Sequence, residues 1–382
     1  VKYRKKMKFL ITGGGTGGHL YPALEIMRNL HEMDKKDKLY YVGTERGIEE
    51  QIIPDFPWIE FRKIKIRGFS RNNVWNRIKA WALLPVAMIQ SLKLILTIRP
   101  DIIYGTGSYL TFPVAFWAKI FNIPFAIQEL NVLPGMANKI LAPYADSIIL
   151  SYRKTASYLP KAKNYYVAGT PVRKEITRPD NTNGESLGLD PDKKTVSLLS
   201  GTLGSKKLSK KIMRDLREAE IKTELQVIIQ TGKENYSEIQ NIVPSTSEKI
   251  DIKILDYIDD MASLYQISDF LICRGGAGTM AELIATKTPA FIVPWSDSSE
   301  GHQFRNAAYL EKTGAAIVIP EYQLESINLI REAEEILTSP KKIKKMRHAY
   351  QKIDGAEPSK DIAEHIKKLK NKEKKNAHRT LK

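Results

Sequence analysis

Cysteine is almost missing from this chain. It has one, Cys273, in 382 residues. A single thiol excludes an internal disulfide and a thiolate-rich metal centre, and it reads as a small core side chain on a strand. Histidine is scarce too, with six, and no His/Cys cluster forms. No D-x-D spacing surrounds the acidic pair Asp259 and Asp260, so neither a required metal nor a resident cofactor is expected, and the pair reads as the cap of the next helix. Acidic residues are outnumbered, 43 against 60 Lys and Arg, for a formal net charge of +17. The amino end, "VKYRKKMKF", is basic, but the apolar run behind it is short and breaks into glycines. That is not the pattern of a cleaved signal peptide, and the expectation is a cytoplasmic protein.

Long apolar runs are equally rare. One stands out, "VWNRIKAWALLPVAMIQSLKLILTI" at residues 74–98. Pro85, Gln90 and Lys93 interrupt it, and a lysine at mid-bilayer costs roughly 2.5–3.5 kcal/mol on insertion scales, so a membrane span is not expected. Within it Val74, Trp75, Ile78 and Trp81 recur at helical spacing, with Arg71, Arg77 and Lys79 interleaved. Apolar residues flanked by cations suit a helix face lying in a membrane interface. Residues 86–98 read instead as a core helix.

What is present is regular. Apolar strand-like segments alternate with helical ones: "MKFLIT", "KLYYVG", "IEFRKIKI", "DIIYGTG", "PFAIQE" and "DSIILSY", then "TVSLLSG", "LQVIIQTG", "DIKILDYI", "DFLICRGG", "PAFIVPW" and "AAIVIP". Such alternation predicts parallel sheets covered by helices on both faces. The length suggests two domains. The polar stretch "ITRPDNTNGESLGLDPDKK" at 176–194 marks a linker, with the boundary near 175. The expected organisation is a first α/β domain over 1–175, a linker over 176–194, a second over 195–354, and a basic helix or tail over 355–382. Residues 341–382 carry fifteen Lys and Arg against five Asp and Glu, which favours an anionic partner such as a membrane surface or nucleic acid.

Three glycine-rich turns follow strands: "TGGGTGGH", "SGTLGS" and "RGGAGT". Each aims backbone N–H groups and a helix N-terminus at an anion, and in open α/β sheets ligands bind beyond the carboxyl ends of the strands. Two such domains facing each other would gather all three around one cleft. Gly13, Gly15 and Gly18 fit G-x-G-x-x-G, a weak dinucleotide signature, with Glu45 arriving late for the acidic partner. A dinucleotide-dependent oxidoreductase leaves two features unused: His19, which closes the first turn, and "RGGAGTMAEL". A histidine there, titrating near neutrality, suits a general base. Asp101 and Glu129 are alternatives for that role. A bound anion would lie against the N–H groups of Thr16, Gly17 and Gly18 and of Thr202 to Ser205, with Arg173 adding a forked positive charge.

These residues carry a resemblance. "GGGTGGHLYPALEI" resembles the amino-terminal signature of the MurG family of peptidoglycan glycosyltransferases. "GSYLTFPVAFWAKIFNIPFAIQELNVLPGMANKILAPYAD", "AGTPVRKEI", "SGTLGSKKL", "YIDDMASLYQISDFLICRGGAGTMAELIATKTPAFIVPW" and "HQFRNAAYLEKTGAA" extend it over roughly residues 7–320. The resemblance implies the GT-B fold, two Rossmann-like domains facing across a cleft. It implies an inverting transfer of GlcNAc from UDP-GlcNAc to the muramic-acid 4-hydroxyl of lipid I, at the cytoplasmic face of the cell membrane, with no nucleic-acid partner. It also assigns donor contacts: Glu282 to the ribose hydroxyls, the backbone of Ile258 to uracil, Ala277, Gly278 and Thr279 in the donor loop, Gln303 to the sugar, and Asn131 to the sugar from the first domain. The chain departs from the family pattern at Leu203, where a glutamine is usual, at Gly275, where a serine is usual, and in "QELN" at Gln128–Asn131. A related UDP-sugar transferase acting on another lipid fits the same motifs.

Overall fold

The structure, a computed structural model, describes residues 6–45, 47–68, 74–178, 187–201, 204–245, 248–353 and 358–380; the side chains of 74, 76, 299 and 371–380 lie outside that description. Two compact units emerge: Val1–Val172 with Gly355–Lys382, and Arg173–Asp354.

The first unit is built on seven parallel strands: β1 (Lys8–Thr12), β2 (Lys38–Thr44), β3 (Ile59–Ile64), β4 (Ile102–Gly105), β5 (Phe125–Glu129), β6 (Ser147–Leu150) and β7 (Tyr165–Val167). Their order in the sheet is β3-β2-β1-β4-β5-β6-β7. Crossovers run through α1 (Gly17–Met33), the helical turn α2 (Glu49–Ile52), α3 (Val74–Ile98), α4 (Thr111–Ile120) and α5 (Met136–Leu141). Helices cover both faces, so the strands bury both sides. That is why β1, β4 and β5 read as near-continuous apolar runs rather than alternations. The short edge strand β7 escapes that signature, because only three residues pair with β6.

The second unit opens with the turn α6 (Lys174–Thr177). Its six parallel strands are β8 (Lys194–Leu199), β9 (Leu225–Gln230), β10 (Ile250–Leu255), β11 (Phe270–Cys273), β12 (Ala290–Ile292) and β13 (Ala316–Val318), in the order β10-β9-β8-β11-β12-β13. The helices are α7 (Lys206–Glu218), α8 (Tyr236–Gln240), α9 (Met261–Ile267), α10 (Ala277–Thr286), α11 (His302–Thr313), α12 (Leu329–Leu337) and α13 (Pro340–Ala349). Both sheets reverse their winding beside the first strand, between β1 and β4 and between β8 and β11. Each reversal is a topological switch point, where open sheets leave a crevice for ligands.

Two expectations need correction. Residues 86–98 of α3 are core on one side only. Ala87, Ser91, Ile95 and Ile98 are buried, while Val86, Ile89 and Leu96 are exposed. A crossover helix covers the sheet with one stripe and leaves the other outside. By length and composition Arg77–Ile98 could cross a membrane; it runs instead between β3 and β4 and packs on the sheet with that stripe.

The basic carboxyl end is not simply a tail. It forms α14 (Pro358–Thr380), which packs against α1. Ile362, Ala363, Ile366 and Leu369 enter the core cluster of the first unit with Phe9, Ile11 and Leu24. Their i, i+4, i+7 spacing is a helical stripe masked by the surrounding lysines.

Candidate functional site

In the first unit the glycine loop leaves β1 at the switch point. Gly13 lies so close to the neighbouring strand that a Cβ would sit 1.9 Å from the Thr106 hydroxyl. The Tyr41 hydroxyl donates to the Gly13 carbonyl. Gly15 adopts φ 85°, the left-handed turn that lets the chain reverse into α1. Thr16 is the N-cap in extended conformation; its side chain makes no cap bond, and its carbonyl accepts from the N–H groups of His19 and Leu20 at 3.2 and 3.3 Å.

His19 therefore stands in the first turn of α1. Its Nδ1 lies 2.8 Å from the Thr106 carbonyl, and the Thr106 hydroxyl donates back to the His19 carbonyl at 3.0 Å. A carbonyl only accepts, so Nδ1 carries the hydrogen. In the neutral ring the lone pair is then on Nε2, the atom for taking a proton. Thr106 follows β4, so the imidazole is tied to both strands that flank the switch point. The sequence reading missed Thr106, since no spacing links two residues on non-consecutive strands.

The alternatives for the base fare differently. Asp101 precedes β4, at the opposite end of the strand from the glycine loop; its carboxylate accepts the Lys8 N–H at 3.0 Å and lies 3.7 Å from Lys370. Glu129 is buried and holds its own turn. Its oxygens accept from the Asn131 N–H and side-chain amide at 2.9 and 3.1 Å, from the Gly135 N–H at 2.9 Å and from Asn138 at 2.7 Å. Asn131, expected at the sugar, thus has its side-chain amide on Glu129. Gln128 spans Gly169 and Tyr104.

In the second unit two glycine turns flank its switch point. After β8, Gly201 and Gly204 have φ 80° and 75°, and a Cβ on Gly204 would lie 1.8 Å from the Thr231 carbonyl. Gln230, at the end of β9, brackets this loop: it accepts the Ser200 N–H at 3.3 Å and donates to the Gly201 carbonyl at 3.0 Å. Ser205 caps α7 and receives Arg274 at 2.7 Å. Arg274 in turn pairs with Glu321 at 2.7 Å. Thr202 and Leu203 lie outside the described residues.

After β11 the chain turns at Gly275 and Gly276, and Ala277, Gly278 and Thr279 form the first turn of α10, its N–H groups facing the start of the helix. One turn on, Glu282 accepts from Arg173 at 3.0 Å and from the Tyr265 hydroxyl at 2.8 Å. Two residues expected to serve the donor separately are therefore one ion pair. Burial, with the Glu282 charge beside it, pushes the Tyr265 hydroxyl well above its ordinary value, so it stays a donor. Gln303, in α11, accepts from the Gly275 and Trp295 N–H groups at 3.2 and 2.9 Å. Gly275 is required here: a Cβ would meet the Gln303 carbonyl at 2.4 Å, which accounts for glycine in place of serine. Ile258 is buried in the loop after β10. Asp260 caps α9, accepting the Ser263 N–H at 3.0 Å, as expected of it. Among the described residues no group of three His, Cys, Asp or Glu is placed to hold a metal.

On the outer face of the first unit, Trp75, Ile78 and Trp81 are 73, 52 and 64 % exposed. Ile89, three turns beyond Ile78 on the same side of α3, is exposed as well, as are Phe116 in the neighbouring helix α4 and Phe121 at its C-cap. The Val74 side chain and all of Arg71 lie outside the described residues.

Comparison with known proteins agrees with this architecture. Residues 9–150 match the glycosyltransferase family 28 N-terminal domain and residues 195–376 its C-terminal domain. A protein of Carboxydothermus hydrogenoformans, named UDP-N-acetylglucosamine--N-acetylmuramyl-(pentapeptide) pyrophosphoryl-undecaprenol N-acetylglucosamine transferase, is 33 % identical over 93 % of this chain and 96 % of its own length. A protein of the same name from Thermoanaerobacter sp. (strain X514) is 31 % identical over 95 % of this chain and all of its own. Among solved structures, MurG of Acinetobacter baumannii superposes with a TM-score of 0.72 at 21 % identity, covering 95 % of this chain and 99 % of that one. S. aureus MnaA bound to UDP superposes at 0.67 and 16 %, covering 96 and 97 %. With both halves matched and the relatives aligned end to end, the chain belongs to glycosyltransferase family 28.

Proposed function

We propose that this protein transfers GlcNAc from UDP-GlcNAc to the muramic-acid 4-hydroxyl of lipid I, giving lipid II for peptidoglycan. The end-to-end alignment with transferases of that name carries the reading. The acceptor hydroxyl oxygen attacks C1 of the donor sugar. The bond from C1 to the diphosphate oxygen breaks, its electrons leaving with UDP, and the hydroxyl proton goes to Nε2 of His19. The Nδ1–H bond to Thr106 holds the tautomer this requires. The departing diphosphate gains negative charge, which fixed N–H dipoles stabilise without reorganising. In the second unit these are the N–H groups of Ser205 at the start of α7 and of Ala277, Gly278 and Thr279 at the start of α10; the first unit offers those of Thr16 to Gly18. Glu282 accepts the ribose hydroxyls on lone pairs left beside Arg173 and Tyr265. Arg173 orients that carboxylate and supplies positive charge near the diphosphate. The backbone of Ile258 reads uracil, and the amide nitrogen of Gln303 and the side chain of Asn131 meet the sugar. In this division of labour the first unit takes the acceptor and the second holds most of the donor.

The lipid-linked acceptor requires reversible docking at the cytoplasmic leaflet. The exposed Trp75, Ile78 and Trp81, flanked by exposed Arg77 and Lys79, supply an apolar face with a cationic rim suited to it. Transfer of labelled GlcNAc from UDP-GlcNAc to lipid I tests the activity; no product refutes it. His19→Ala should lower turnover by about 10²–10⁴-fold with UDP affinity unchanged, and near-normal turnover removes the base assignment.

A further inference from the structure

One buried carboxylate stands behind the glycine loop of the first unit, and neither the transfer chemistry nor the donor contacts use it. Glu49 opens the helical turn α2 and is wholly buried. Its Oε1 accepts the Thr44 N–H at 2.7 Å and the Thr44 hydroxyl at 2.9 Å. Its Oε2 accepts the N–H of Gly15 at 3.3 Å. Three glycines make room for it: a Cβ on Gly14, Gly43 or Gly47 would come within 2.7, 2.7 and 2.1 Å of Glu49 side-chain atoms.

Burying a carboxylate costs several kcal/mol unless hydrogen bonds offset it. A strand-to-helix turn needs no such charge to close. The charge does something specific here. Among Gly13–Gly18 only Gly15 has positive φ, so it is the pivot from which the chain enters α1. Its N–H is turned inward to the carboxylate rather than outward with those of the helix start. Fixing that pivot against the end of β2 fixes where Thr16, Gly17, Gly18 and His19 begin. The loop is thus anchored twice, by Glu49 at Gly15 and by Thr106 at His19.

We propose that Glu49 is a positioning residue for the transfer reaction: its carboxylate pins the Gly15 pivot and thereby presets the imidazole of His19 for proton transfer. The inference rests on His19 being the base. Glu49→Gln keeps the shape and leaves an acceptor for Thr44, but it sets an NH₂ group against the Gly15 N–H, donor facing donor. A misplacement on the ångström scale costs about 10²-fold in turnover, and that is the fall in kcat expected for Glu49→Gln per folded enzyme. The donor KM and UDP affinity should change far less than kcat, since Glu282, Gln303 and the α10 N–H groups that hold the donor lie in the other unit.

Residues that act as a unit are not additive. The double variant His19→Ala/Glu49→Gln should therefore be no slower than His19→Ala alone. A slow His19→Ala beside a Glu49→Gln of normal kcat overturns the role of Glu49 only. Additive losses in the double variant, or a lowered melting temperature with normal kcat in the folded fraction, also overturn it. A His19→Ala enzyme with normal turnover overturns the base reading and this route with it. Should Glu49→Gln fail to fold, Thr44→Val removes one donor to the same carboxylate and is read in the same way, with a smaller loss.

Discussion

The contact between α14 and the first unit makes a quantitative prediction. Lys367 lies 2.7 Å from Asp37, with side chains 8 and 1 % exposed. The two atoms are not oriented as a hydrogen bond, so the contact is electrostatic. Asp37 also accepts the Met7 N–H at 2.9 Å, and the Lys367 ammonium sits 5.9 Å from the centre of the Phe9 ring. Lys367→Met keeps the aliphatic stem but leaves the Asp37 carboxylate buried beside an apolar group. Removing one partner of a buried pair costs about 3–5 kcal/mol, chiefly through the stranded charge. A domain of this size loses about 2–4 °C of melting temperature per kcal/mol. The first unit should therefore melt roughly 6–20 °C lower, while the second, which UDP protects, should not move. Asp37→Asn/Lys367→Met removes both charges and should recover most of the loss. Differential scanning calorimetry with and without UDP separates the two transitions. A Lys367→Met protein whose first-unit transition, the one UDP does not raise, falls by less than about 2 °C refutes the argument, because an isolated buried carboxylate costs more than that.

Other consequences are equally direct. Glu282→Ala should weaken UDP binding at least tenfold, since a hydrogen bond to a charged group is worth about 1.5–3 kcal/mol; equal calorimetric affinity of the wild type for UDP and its 2′-deoxy analogue would show that Glu282 does not read the ribose. Gly275→Ser should destabilise the second unit by about 1–3 kcal/mol, the range for overpacking, because its Cβ meets the Gln303 carbonyl at 2.4 Å; a urea midpoint equal to wild type would contradict this. Trp75→Ser/Trp81→Ser should weaken vesicle co-sedimentation even at high salt, since apolar burial is not screened, whereas Arg77→Glu should act chiefly at low salt. Burial pushes the Cys273 thiol well above its ordinary value, so the thiolate is scarce and the sulfur inaccessible at pH 8; iodoacetamide should label it only when the protein unfolds.

The sequence alone determined the fold class, because both sheets are buried on two faces and most strands announce themselves as apolar runs bounded by turns, the short edge strand β7 excepted. It also determined where chemistry sits in the chain. A glycine with φ near 80° and a helix N-terminus need particular residues in succession, so Gly13–His19, Gly201–Ser205 and Gly275–Thr279 are local signals. The same locality placed the Asp260 cap. Relations between residues far apart in the chain were not legible until the sheets packed. Thr106 sets the tautomer of His19 across the switch point. Glu49 holds Gly15 from another crossover, and Arg173 meets Glu282 more than a hundred residues on. Gly275 is small because α11 passes over it, and α14 belongs to the first core although its composition is that of a tail. Sequence spacing records period and punctuation along one segment. Which segments become neighbours is chosen by the packing of the whole sheet, and at these contacts a buried charge or donor finds its partner only once the packing is complete.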